Sequence, residues 1–167
     1  LYQILSPTFK VVRSPRSYNS QIGVPLSIWR IQKEHQLGIF EAGISTINEM
    51  ERIAAVIQCK TGLFTTLGGA HDEGFADRRQ KLREKLGLFK SADTIIYCKD
   101  QELVHEAIHQ LPQKKLSWSM HTEADLQIKS VVKGEFTTEI KAVFQARALH
   151  IQIPFVNDIS IQNAIHC

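Results

Sequence analysis

Apolar residues fall in short blocks along the first two thirds of the chain, separated by stretches of helical periodicity. "FKVVR" (9–13), "LGIFEA" (37–42), "TGLFTT" (61–66) and "DTIIYC" (93–98) are too continuously apolar to expose one face, as expected of strands buried on both sides. Between them the spacing predicts a helix over about 25–34 and another in "NEMERIAAVIQ" (48–58), opened by a Thr46-to-Glu49 capping box. A further helix is predicted from about Asp77, and a short one in "QELVHEAIHQL" (101–111). Strand and helix in alternation imply a parallel sheet covered by helices on both faces. After Pro112 the pattern changes. "KLSWSM", "ADLQIKSVV", "TTEIKAVFQA" and "LHIQIPF" alternate apolar and polar, which predicts a small antiparallel sheet.

The expected architecture is therefore α/β within a single domain over 1–167. Its parts are a parallel α/β region over 1–113, a small antiparallel region over 114–154 and the start of a closing helix over 155–167.

Composition narrows the function classes. With 43% hydrophobic and 22% charged residues the chain is that of a soluble globular domain. A net charge of +3, with basic residues spread along the sequence, is too mild to argue for nucleic acid as a partner. No apolar run approaches the ~20 residues of a membrane span, and the opening residues lack the basic leader and apolar core of a signal peptide. Cys59, Cys98 and Cys167 are odd in number and far apart, so they read as reduced thiols of a cytoplasmic protein without zinc spacing. The chain carries no initiator Met and closes within a helical pattern, so it is expected to be part of a longer polypeptide.

In open parallel sheets ligands bind beyond the carboxyl ends of the strands. The first strand is followed by Asn19, Ser20 and Gln21. Glu41 stands at the end of the second, and Gly68, Gly69 and His71 follow the third. Each has an ordinary reading: Glu41 as a helix cap or arginine partner, His71 as a structural loop histidine, Asn19 and Gln21 as turn formers. Set within an apolar strand, Glu41 should nevertheless have a cation or donors close by.

Helical phase separates Lys85 from its basic neighbours. Leu82, Leu86 and Phe89 form an i, i+4, i+7 stripe, and Lys85 borders it, whereas Arg78, Arg79 and Arg83 fall largely elsewhere. Either the Lys85 stem packs and its ammonium reaches water, or burial keeps the amine neutral and available for chemistry. His105 and His109 sit i, i+4 on a helix, a spacing that suits zinc. With no third ligand evident, they read as a surface pair.

"YNSQIGVPLSIW", "GIFEAGIS", "GGAHDEGFADRRQKLREK" and the closing "SIQNAIHC" together resemble the central ATP-binding domain of the Mur ligases, in the right order and over nearly the whole chain. The most specific element is "AHDEGF" with a lysine fourteen residues after the histidine. The wording is most similar to the ligases that add D-alanyl-D-alanine to UDP-N-acetylmuramoyl-tripeptide, including the form fused to an alanine racemase, though no racemase residue is present.

The resemblance implies roles. Glu41 would coordinate the Mg2+ that bridges the ATP β- and γ-phosphates. His71 and Lys85 would serve a second Mg2+, Lys85 in carbamylated form. Asn163 would contact the adenine, and Asn19 and Gln21 would lie near the γ-phosphate and acceptor. The implied reaction phosphorylates the carboxylate of the precursor peptide with ATP, and D-alanyl-D-alanine then attacks the acyl phosphate.

The chain departs from the family pattern in lacking any G-x-x-x-x-G-K-[ST] phosphate loop, and in carrying Ile159-Ser160 where the family has His-Asn. The amino-terminal domain for the UDP-sugar and the carboxy-terminal domain that closes over ATP are also missing. The chain by itself is therefore expected to be inactive. Another Mur ligase, a folylpolyglutamate synthase-like ligase, or a non-catalytic binding module retaining the fold stay open as readings.

Overall fold

The computed structural model describes residues 1–68 and 74–167. It divides into two compact units, one of residues 1–60 and 68–92, the other of residues 61–67 and 93–167.

The first unit begins with the single turn α1 (Tyr2–Leu5) and strand β1 (Val11–Arg13), followed by helix α2 (Gly23–Ile28), strand β2 (Leu37–Ile39), helix α3 (Glu49–Ile57) and helix α4 (Arg78–Leu86). β1 and β2 pair in parallel, Val11 opposite Leu37. α2 is shorter than the periodicity predicts. After Trp29 the chain tightens into i to i+3 bonds from Arg30 N to Ser27 O and from Ile31 N to Ile28 O, and the His35 ring accepts the Gln32 amide at 2.9 Å. Those groups would otherwise continue the helix. Val24, Ile44, Met50 and Ile53 form the core, flanked by Ile28, Ala42, Ile57, Phe75 and Leu88.

α3 keeps only half of its expected capping box. Glu49 reaches back to the amides of Ser45 and Thr46, but Asn48, at φ 64°, is the N-cap residue and the Thr46 hydroxyl does not cap.

The second unit holds a six-stranded sheet of β3 (Thr61–Phe64), β4 (Thr94–Cys98), β5 (Lys114–Ser119), β6 (Leu126–Lys133), β7 (Thr138–Phe144) and β8 (Arg147–Ile153), in that spatial order. Its helices are α5 (Glu102–His109) and α6 (Asp158–Ile165). Side chains alternate across a strand, so β4 shows where the helices lie. Tyr97 meets His105 of α5 on one face, while Cys98 joins Ile161 and Ile165 of α6 on the other. The sheet is thus covered on both sides, as predicted.

One strand departs from expectation. "KLSWSM" was expected to open an antiparallel sheet, yet β5 pairs in parallel with β4 along its length and with β6 at two positions, and only β6, β7 and β8 run antiparallel. The parallel and antiparallel strands therefore belong to one sheet. The reason lies in the β5–β6 connection. Asp125 folds back to accept the amide and hydroxyl of Ser117, both at 2.8 Å, and Asp100 accepts the Ser119 hydroxyl and the Met120 amide. These bonds make a six-residue arch that returns β6 alongside β5, where an alternating sequence alone suggests a hairpin.

Among the described residues no helix is long and apolar enough to cross a membrane.

Candidate active site

The loop after β1 brings Asn19 and Glu41 together. Gly43 donates its amide to the Asn19 carbonyl at 2.8 Å, and the Asn19 side-chain amide donates to Glu41 Oε1 at 2.8 Å. The approach is close: a Cβ at Gly43 would stand 3.2 Å from Asn19 Nδ2, so a larger residue there would press on the Asn19 side chain. Ser14 Oγ accepts the Glu41 amide at 3.3 Å. β2 ends at Ile39, so Glu41 lies two residues beyond the strand and is exposed, not embedded in it. The expected donor is present in Asn19.

α4 presents Lys85 in the same unit. The helix begins with a reciprocal cap: Asp77 accepts the Gln80 amide at 2.7 Å while Gln80 accepts the Ala76 amide at 2.6 Å. Glu84 accepts the Asn48 amide at 2.8 Å, tying α4 to the start of α3. Leu82, Leu86 and Phe89 are buried, as the stripe predicts, and Lys85 is half-buried beside them. Burial pushes the Lys85 ammonium below its ordinary pKa, the Lys81 charge pushes in the same direction, and the Glu41 carboxylate partly opposes both. Asn19, Glu41 and Lys85 thus form one electrostatic cluster. Arg78, Arg79 and Arg83 are exposed.

The more deeply buried lysine is Lys81, 2% exposed, whose Nζ donates to the Gly68 carbonyl at 2.8 Å. Sequence reading passed over it, because a lysine outside the apolar stripe is ordinarily solvated. Its signal was the i, i+4 spacing that places it on the same face as Lys85.

Gly74, in the "HDEGF" stretch, approaches residue 45 so closely that a Cβ would lie 1.9 Å from the Ser45 carbonyl oxygen, so only glycine fits. His71 lies outside the described residues. Gln21 is engaged by α3: it donates to Glu49 Oε1 at 2.8 Å and accepts from Arg52 at 3.1 Å. Amides of Ser45 and Thr46, then Gln21 and Arg52, hold the Glu49 carboxyl below its usual range against the opposing effect of its burial. Asn163 belongs to the other unit, exposed on α6, where its backbone carbonyl accepts the Cys167 thiol at 3.2 Å. That unit also holds an apolar cavity of about 270 Å³ between α6 and the sheet, lined by Trp118, Ile140, Ile165 and His166 among others. None of the sequence-predicted site residues among the described residues lines it.

A model of the Mur ligase middle domain matches residues 1–167. The chain belongs to that family. It is 32% identical to the UDP-N-acetylmuramoyl-tripeptide--D-alanyl-D-alanine ligase of Borreliella burgdorferi, over 100% of this chain and 36% of that protein. It is 22% identical to the Bacillus subtilis ligase of the same name, over 99% of the chain and 36% of that protein. The chain thus spans about a third of the length of these relatives. The fold agrees with solved structures. MurF from Acinetobacter baumannii superposes with a TM-score of 0.87 at 19% identity, over 99% of this chain and 37% of that one. The Thermotoga maritima MurF ligase in complex with ADP gives 0.85 at 17% identity, over 98% and 39%.

Proposed function

We propose that this chain is the central part of an ATP-dependent amide ligase of peptidoglycan precursor synthesis, which joins D-alanyl-D-alanine to UDP-N-acetylmuramoyl-tripeptide. The observation that carries this reading is the Asn19–Glu41–Lys85 cluster, on a chain matched from end to end by the Mur ligase middle domain. The relatives' names supply the substrates, and the ADP complex of a structural neighbour supports ATP as the phosphoryl donor. The remaining length of the relatives leaves room for domains that hold the UDP-sugar and close over ATP. A cytoplasmic location follows from the substrates.

The cluster fits a hard divalent cation. Glu41 is an exposed carboxylate whose Oε1 is fixed by Asn19, with Oε2 carrying no hydrogen bond among the described residues. Glu41 would hold one Mg2+, while His71 and Lys85 would serve a second. Bound Mg2+ neutralises negative charge on the transferring phosphoryl group and on the developing oxyanion.

The chain's own contribution is to aim these groups. Asn19 orients Glu41, and the capped α4 holds Lys85 rigidly against the buried face. A half-buried amine with a depressed pKa carries a neutral fraction that can attack carbon dioxide. The new N–C bond gives a carbamate, the displaced proton leaves to solvent, and an ammonium is replaced by an anionic oxygen donor. The precursor carboxylate would take the γ-phosphoryl group to give an acyl phosphate, and the amine of D-alanyl-D-alanine would displace phosphate. Asn163 would face the adenine, and Asn19 and Gln21 the γ-phosphate side.

Phosphate release by the full-length polypeptide tests the reading. Release should require ATP, UDP-N-acetylmuramoyl-tripeptide and D-alanyl-D-alanine together. Equal release with glutamate and a folate in place of these acceptors would favour the folylpolyglutamate synthase-like alternative. No release with any acceptor would favour a binding module.

A further inference from the structure

We propose that His105 and His109 form a two-histidine chelate on α5 for a borderline divalent transition-metal ion such as Zn2+ or Ni2+, with the Tyr97 hydroxyl setting the His105 tautomer. The two histidines are successive turns of one helix face, and their ring centres lie 5.7 Å apart with planes inclined by 50°. A metal–nitrogen bond of about 2.0–2.1 Å places each ring centre about 3.2 Å from the ion, so tetrahedral coordination separates the centres by about 5.2 Å. The observed separation of 5.7 Å lies about 0.5 Å from that value.

His105 is already oriented. Its Nδ1 lies 2.8 Å from the hydroxyl of Tyr97, a residue only 2% exposed, and the two rings stack at 14°. A hydroxyl can donate or accept by rotating its hydrogen. When it accepts from Nδ1–H, the lone pair of Nε2 is directed away from Tyr97 and is free for a metal. Ligating histidines commonly have such a partner on the second ring nitrogen. Satisfying Tyr97 accounts for His105, but not for the exposed His109 one turn on.

The stretch His105-Glu106-Ala107-Ile108-His109 has the H-E-x-x-H form of zinc hydrolases. A catalytic zinc centre needs three protein ligands, and no group of three His, Cys, Asp or Glu stands together among the described residues. The inference is therefore binding, not hydrolysis, with water completing the coordination sphere. Imidazole donors select Zn2+, Ni2+ or Cu2+ over Mg2+, which separates this pair from the oxygen donor Glu41.

The test is calorimetric titration of the full-length polypeptide with NiCl2 in excess Mg2+, alongside His105→Gln, His109→Ala, Tyr97→Phe and His150→Ala variants. The expected result is one site that Mg2+ does not displace. It should weaken at least tenfold in either His105→Gln or His109→Ala, weaken about 10- to 100-fold in Tyr97→Phe, and persist in His150→Ala. His109 is exposed at the helix end, so His109→Ala should fold, which far-UV circular dichroism checks. Nickel affinity unchanged in His105→Gln and His109→Ala, or absent from the wild type, would overturn the proposal.

Discussion

His166 offers a quantitative test of how α6 is held to its sheet. Its ring is 4% exposed, with Nδ1 2.8 Å from the Gln162 carbonyl and Nε2 3.0 Å from the Phe64 carbonyl at the end of β3. It also meets Trp118 edge-on, with ring centres 5.0 Å apart. A neutral imidazole has one N–H, so it donates to one carbonyl at a time, whereas the imidazolium could serve both. Burial nevertheless outweighs the two carbonyls and holds the pKa below the ordinary histidine value.

The perturbation is His166→Ala, with His166→Phe as the variant that keeps a ring against Trp118. One lost hydrogen bond costs about 1 kcal/mol, and the carbonyl deprived of its donor adds about 1 kcal/mol more. The lost aromatic edge contact contributes about another 1 kcal/mol. His166→Ala should therefore destabilise the chain by about 3 kcal/mol and His166→Phe by about 2 kcal/mol.

The sign of the pH dependence follows from linkage. With the folded pKa depressed, the unfolded chain binds the proton more readily, so stability is full above the unfolded histidine pKa of about 6.5 and falls as pH drops below it toward the folded value. Urea unfolding followed by fluorescence reads both effects, because Trp118 is buried beside the ring while Trp29 is 87% exposed. His166→Phe should flatten the slope between pH 7.5 and pH 5.5, leaving the share contributed by His105. A variant with wild-type stability, or one that retains the whole slope, would refute this reasoning.

Two further predictions concern backbone geometry. The β7–β8 hairpin turns through Gln145 and Ala146 at φ 49° and 61°, so Ala146→Gly should raise stability by about 0.5–1 kcal/mol in the same assay. A loss of stability would contradict the left-handed turn. Asp77→Ala removes the α4 cap and should cost about 1 kcal/mol, with rescue by Asp77→Ser or Asp77→Asn.

The order of strands and helices was legible because two-sided burial and helical periodicity leave distinct patterns, and both survive in the structure from β1 through α5. The direction of β5 was not legible. It depends on Asp125 and Asp100 bending the chain back on Ser117 and Ser119, a side-chain-to-backbone effect that carries no periodicity. Lys85 was found by helical phase against Leu82, Leu86 and Phe89. Lys81 escaped because its burial depends on a carbonyl at Gly68, thirteen residues earlier in the chain. Glu41 was placed correctly near a donor but wrongly within a strand: β2 stops at Ile39, and the loop anchored by Asn19 and Gly43 takes over.

The proposed function requires Lys85 to act with Glu41 in an amide ligase through an anionic, carboxylate-like end group. The most direct measurement is ligation of D-alanyl-D-alanine by the full-length Lys85→Ala polypeptide, with and without added formate or acetate. Loss of most ligation in the variant, partly restored by the short carboxylate, is the expected result. Full activity in Lys85→Ala, or a loss that no carboxylate relieves while an added alkylamine does, would contradict it.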